Sequence, residues 1–200
     1  MTGTHAVQLV AGLGNPGVGY AGDRHNAGFW LLDLLAERWR VELRQESRFK
    51  AVLGRAASGP RLLKPQTYMN LSGESVAACA SYFRIPAASI LVVHDELDLD
   101  PGAVRLKRGG GHGGHNGLRH VEALLGTSDF LRVRLGIGHP GTNADVSNYV
   151  LRAPTPEERT AIRDAIELVV DRFEDIVSGK FDRVMTTLNR RRDDRDTGSE

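Results

Sequence analysis

Apolar and polar residues alternate with two different periods along this chain, and the changes of period mark its elements. Val7 to Leu13 is a short, mostly apolar run ended by glycine, the pattern of a buried strand. Ala27 to Arg40 follows with Phe29, Leu32, Leu35 and Trp39 on one face, spaced as a helix requires. Ser47 to Ala57 and Arg61 to Leu63 are expected as two strands joined by a Ser58-Gly59-Pro60 turn. Pro65 to Tyr68 connects them to a helix that Asn70 or Ser72 can cap, running to Phe83. Ser89 to His94 is another buried strand, and it delivers an acidic stretch, Asp95, Glu96, Asp98 and Asp100, that closes with Pro101-Gly102.

Val104 to Arg108 alternates apolar with basic residues, a strand with one exposed face. A glycine loop, Gly109 to His115, leads into a helix from Asn116 to Leu125. Leu131 to Ile137 alternates again, with Arg132 and Arg134 on the outward side. Thr155-Pro156-Glu157-Glu158 starts a helix, with proline at the first position and glutamate three residues after the cap. Behind it, Ile162, Ile166, Val169, Val170, Phe173, Ile176 and Val177 form one helical stripe that predicts a helix ending at Gly179. Lys180 to Leu188 is expected as a last short helix. Residues 190–200, RRRDDRDTGSE, contain no apolar side chain and are expected to be a disordered charged tail.

Strands and helices interleave over residues 1–189 with no repeat and no internal linker. That order predicts an α/β fold: a single domain with a twisted mixed β-sheet and helices on both faces. Sites in such folds form beyond the carboxyl ends of the strands. Three polar clusters follow strands here, Asn15 to Asn26, Asp95 to Asp100 and His112 to Asn116, and they can converge on one site.

Composition narrows the classes. Lys plus Arg is 26 and Asp plus Glu is 25, so overall charge names no partner. Cys79 is the single cysteine, which excludes an intrachain disulfide. No basic segment precedes the first apolar run, and no stretch approaches the roughly 20 apolar residues of a membrane span. A soluble, cytoplasmic protein is expected. Charge is nevertheless uneven. Between Pro101 and Pro140, Arg105, Lys107, Arg108, Arg119, Arg132 and Arg134 face only Glu122 and Asp129. If the two strands concerned are neighbours, these residues make a cationic patch suited to phosphate; otherwise they are a solvated sheet face.

Gly12, Gly14 and Gly17 spell G-x-G-x-x-G, a dinucleotide fingerprint by spacing alone. Its context fails, because Pro16 interrupts it and eight residues separate Gly17 from the helix. The polar residues Asn15, Tyr20, His25 and Asn26 are the better candidates in this stretch. His25 beside a carboxylate such as Asp95 can take a proton from water. No serine or cysteine nucleophile motif accompanies it. His112 and His115 offer H-x-x-H metal spacing with Asp95, Glu96 or His94, but on a glycine loop and without a supporting motif. Asn70 and Asn116 can supply amide donors to a polarised carbonyl, or simply cap the helices they precede.

Taken together, GLGNPGVGY with RHNAGF, KPQTYMNLSG, HDELDL, GGGHGGHNGL and RLGIGHP resemble the bacterial-type peptidyl-tRNA hydrolases, in order and over most of the chain. The resemblance implies hydrolysis of the ester between a nascent peptide and the 3′ end of tRNA, which recycles tRNA after abortive translation. It implies His25 as general base and Asp95 as its carboxylate partner. It gives Asn15 the sensing of the acylated amino group, and places Tyr20, Tyr68, Asn70 and Asn116 around the tRNA end and the peptide. Lys107 and Arg134 would hold the tRNA 5′ phosphate, while Met69 and His115 would support the site. It also implies that neither a metal nor an organic cofactor is needed, and a monomer is expected. The alternative on the same fold is an RNA-binding module without catalysis.

Overall fold

The computed structural model describes residues 6–57, 59–141 and 145–190. Ser58 of the expected turn and residues 191–200 of the expected tail lie outside the described residues, while Arg190 closes the last helix.

The strands are β1 (Leu9–Gly12), β2 (Arg44–Glu46), β3 (Ala51–Arg55), β4 (Arg61–Pro65), β5 (Ile90–Glu96), β6 (Val104–Arg108) and β7 (Leu131–Gly136). They form one mixed sheet in the order β2-β3-β4-β1-β5-β7-β6. β4, β1, β5 and β7 run parallel at its centre, and the outer strands pair antiparallel. The helices are α1 (Ala27–Trp39), α2 (Ser72–Phe83), α3 (Asn116–Leu125), α4 (Val146–Val150), α5 (Pro156–Val170), α6 (Phe173–Asp175) and α7 (Phe181–Arg190).

β1 reads as an unbroken apolar run because both of its faces are covered. Val10 packs into a core with Leu31, Leu32 and Leu35 of α1 and Ile162 and Ile166 of α5. Leu9 and Ala11 pack into the other core, with Val76 and Cys79 of α2 and Leu118 and Val121 of α3. The chain therefore leaves β1 by a helix on one face and leaves β4 by a helix on the other. That reversal opens a crevice at the carboxyl ends of β1 and β5.

Glycine seats α1 on the sheet. A Cβ on Gly28 would lie 2.5 Å from the carbonyl oxygens of both Leu13 and Val93, and one on Gly12 would lie 2.4 Å from the Gly28 oxygen. Helix and strands thus meet backbone to backbone. The 3-10 turn Arg24–Asn26, which leads into α1, is carried to the strand ends by that contact. Two of the three glycines of the apparent dinucleotide fingerprint, Gly12 and Gly14, serve this packing: a Cβ on Gly14 would lie 2.6 Å from the Phe29 ring.

Two local expectations are corrected, and two short elements were not expected. The strand expected from Ser47 begins at Ala51, because Ser47–Phe49 is a 3-10 turn closed by Lys50 at φ 48°. β2 was not expected, since Arg44, Gln45 and Glu46 are all exposed on a sheet edge and carry no apolar alternation. The long C-terminal helix breaks after Val170, and the stripe continues through α6 and a π-type turn containing Gly179 at φ 94°. Its apolar period survives because the chain keeps nearly helical pitch through the breaks. α4 was not foreseen; Asp145 caps it by accepting from the Asn148 N–H at 3.2 Å.

Candidate active site

A cleft of about 550 Å³ opens at the carboxyl ends of β1 and β5. The loop after β1 supplies Asn15 and His25, and the turn after β4 supplies Tyr68, Met69 and Asn70. Asp95 comes from the end of β5, and His115 and Asn116 from the start of α3; all eight line the cleft. Tyr20 stands outside it, edge-on to Tyr68 with ring centroids 6.3 Å apart. Lys107 and Arg134 lie in a neighbouring cavity.

Asp95 is 2 % exposed and accepts from two imidazoles. His25 Nδ1 lies 3.0 Å from both of its carboxylate oxygens, and His115 Nε2 lies 3.0 Å from Oδ1. Burial alone would raise the Asp95 pKa, but His25 and His115 outweigh it and hold the group well below the usual carboxylate range. As an anion Asp95 only accepts, so both facing nitrogens carry protons. For His115 this is fixed a second time: its Nδ1 accepts the Leu118 N–H at 3.2 Å as the cap of α3, which puts the proton on Nε2. For His25 the result is a proton on Nδ1 and a lone pair on Nε2. Burial lowers the His25 pKa, yet the attraction and hydrogen bond of Asp95, with a smaller pull from Asp23, leave it raised above 6.5. In its neutral form the group is a base of enhanced strength.

The asparagines are equally oriented. Asn15 N donates to Asn26 Oδ1 at 2.8 Å, and Asn26 Nδ2 donates back to the Asn15 carbonyl at 2.9 Å. Asn15 Oδ1 accepts the Met69 N–H at 2.7 Å. With its oxygen engaged, the Asn15 side chain offers a ligand its NH2 donor. Asn70 and Asn116 add further amides on the cleft wall.

The second cavity, about 300 Å³, is bounded by β5, β6, β7 and the glycine loop before α3. β6 and β7 are neighbours, and Arg105 faces Arg134 and Lys107 faces Arg132 across the pair. The patch is less cationic than its sequence suggests. Arg132, expected on an outward face, is 2 % exposed, because its guanidinium binds Glu122 and the carbonyls of Gly110 and Gly111. Arg134 Nε donates to Glu96 Oε2 at 2.8 Å. Lys107 alone of the three has no carboxylate partner among the described residues.

The peptidyl-tRNA hydrolase family model matches residues 9–196. The chain belongs to the peptidyl-tRNA hydrolases. It is 52 % identical over 185 residues to the peptidyl-tRNA hydrolase of Halorhodospira halophila, covering 91 % of this chain and 95 % of that one. To that of Alkalilimnicola ehrlichii it is 53 % identical over 189 residues, covering 92 % and 96 %. The crystal structure of the Acinetobacter baumannii peptidyl-tRNA hydrolase superposes with a TM-score of 0.89 at 42 % identity, covering 92 % of this chain and 94 % of that one.

Within this peptidyl-tRNA hydrolase fold, one site neighbour was not singled out although it opens the RHNAGF stretch. Arg24, 6 % exposed, donates to the carbonyls of Tyr149, Arg152 and Ala153 and to Glu158 at 2.6 Å. It thereby fastens α4, whose Val146, Ser147 and Val150 wall the cleft, beside the turn that carries His25. Only its position next to His25 hinted at it. The H-x-x-H spacing brings no metal pair together: His115 faces Asp95, whereas His112 lines the second cavity. His25, Asp95 and His115 do cluster within 4.8 Å. A metal on His115 Nε2 would move that proton to Nδ1, against the Leu118 N–H, so the cap of α3 opposes ligation there. His94 is fully buried, donates from Nδ1 to the Asp95 carbonyl at 2.7 Å, and is pushed down to about 3 by burial and by His115. It is neutral.

Proposed function

We propose that this chain hydrolyses the ester joining a nascent peptide to the 3′ end of tRNA, in the cytoplasm, as a monomer and without metal or organic cofactor. The observation that carries the reading is the imidazole pair on Asp95 in the cleft wall, which leaves His25 Nε2 with its lone pair as the base. Neutral His25 removes a proton from water, a step that contributes ~10²–10⁴-fold. The hydroxide oxygen bonds to the ester carbonyl carbon, and the carbonyl electrons move onto oxygen. An amide from Asn70 or Asn116 donates to that oxyanion, an interaction worth about 3 kcal/mol in the transition state. Collapse expels the 3′ oxygen of tRNA, which takes the proton from His25.

Selectivity for acylated substrates rests on Asn15. Its NH2 meets the carbonyl of the acyl group, which a free aminoacyl ester lacks; the ammonium of that ester would meet a donor instead. Tyr68 provides an exposed aromatic surface at the cleft mouth, braced by Tyr20, and Met69 holds Asn15 through its backbone. Lys107 and Arg134 receive the 5′ phosphate in the second cavity.

Turnover of an N-acetylated against a free aminoacyl-tRNA, in EDTA, tests this reading. The blocked substrate is expected to be cleaved and the free one spared, and His25→Ala should lose at least ~10²-fold in turnover while keeping tRNA affinity. Activity that EDTA abolishes, or that survives His25→Ala, overturns it.

A further inference from the structure

Two cavities meet at one carboxylate. Glu96 closes β5 and lines both the 550 Å³ cleft and the 300 Å³ cavity. Its Oε2 accepts from Arg134 Nε at 2.8 Å, and its Oε1 accepts from the Asp98 N–H at 3.2 Å. The Arg134 and Glu96 side chains are 25 % and 15 % exposed, so their attraction is weakly screened compared with a surface pair. Of the three cations lining the cavity, Lys107 has no carboxylate partner among the described residues, whereas Arg132 and Arg134 are engaged.

We propose that Glu96 is a built-in competitor for Arg134, a residue whose pull on the guanidinium tempers how tightly a terminal phosphate is held there. The proposal rests on the second cavity being the site of the tRNA 5′ end. Glu96 takes the Nε–H of Arg134, one of the five N–H donors of the guanidinium, and its carboxylate repels a phosphate brought to the others. A terminal monophosphate carries close to two negative charges at neutral pH, whereas a phosphodiester of the backbone carries one. The terminal phosphate therefore gains more from Lys107 and Arg134, and loses more to the Glu96 charge beside them. The competitor thus weakens the hold on the 5′ phosphate, and keeps the affinity low enough for the product tRNA to leave.

Asp98 supplies the control. It lines the same cavity and pairs with no cation among the described residues, so Asp98→Asn removes the same charge without freeing Arg134. KM is measured for N-acetylaminoacyl minihelices carrying a 5′ phosphate or a 5′ hydroxyl, and the ratio of the two is compared among variants. Glu96→Gln keeps the size and the acceptor oxygen, and is expected to raise the preference for the 5′-phosphorylated substrate by about threefold or more. Asp98→Asn is expected to change it by less. An unchanged or smaller preference in Glu96→Gln, or an equal rise in Asp98→Asn, overturns the competitor. If the unmodified protein shows no preference for the phosphate, the assignment of the cavity to the 5′ end is what fails, and the competitor falls with it.

Discussion

The rings of His25 and His115 stand 5.0 Å apart and both reach Oδ1 of Asp95 at 3.0 Å. One carboxylate therefore divides its charge between a base and a helix cap. The two bonds have separable consequences, because only His115 is also tied to the backbone of α3.

Asp95→Asn removes the charge that outweighs burial at His25. In the proposed mechanism the working form of His25 is neutral, so activity is expected to fall as pH drops through its pKa. That limb of kcat/KM is expected above pH 6.5 in the unmodified protein and below 6.5 in Asp95→Asn, with turnover down by ~10²–10⁴-fold. A limb that stays in place would show that Asp95 does not set the basicity of His25.

His115→Asn should move the same limb the other way. Asparagine is a good helix cap and can keep the bond from the Leu118 N–H, but it withdraws one donor from Asp95. The undivided carboxylate then attracts His25 more strongly and raises its pKa further. Melting temperature should barely change, which separates this effect from damage to α3. A pH profile shifted to the acid side would contradict the shared-carboxylate account.

The places where the sequence was legible share a physical cause. β1 and β5 are covered on both faces, so their apolar runs stand out, and the polar residues that end those runs fall at the sheet edge where sites form. Asn15, His25 and Asp95 were visible for that reason. Side chains whose role depends on a distant partner were not. Arg24 looks like one more surface arginine until Glu158, 134 residues away, is seen to hold it. Arg132 alternates with Arg134 as if both faced water, yet Glu122 and two loop carbonyls draw it inside. α4 spans five residues, too few for a period to show.

Lys107→Ala combined with Arg134→Ala tests the phosphate cavity as a whole. Each phosphate neutralised contributes roughly 0.7 to 0.9 to the slope of log affinity against log salt. The double variant should bind tRNA more weakly and lose about one unit of that slope. Isothermal titration across a salt series measures it, and an unchanged slope removes these residues from the RNA contact.

Gly28→Ala asks whether the backbone contact under α1 positions the base. The added Cβ would meet the oxygens of Leu13 and Val93 at 2.5 Å, and both belong to backbone that cannot swing aside. Relief requires α1 to lift from β1 and β5, at a cost of about 1–3 kcal/mol, or a fall in Tm of roughly 3–10 °C. Because His25 and Asn26 sit on the turn leading into α1, lifting it also lengthens the bonds of His25 to Asp95 and of Asn26 to Asn15. Activity should therefore fall well below the melting temperature, with kcat affected more than tRNA affinity. Gly19→Ala, in the loop before α1, is the control: nothing lies within 4 Å of its Cβ, and stability should hold within about 0.5 kcal/mol. If Gly28→Ala melted lower yet kept full turnover at 25 °C, the seating of α1 would matter for stability alone and not for the placement of the base.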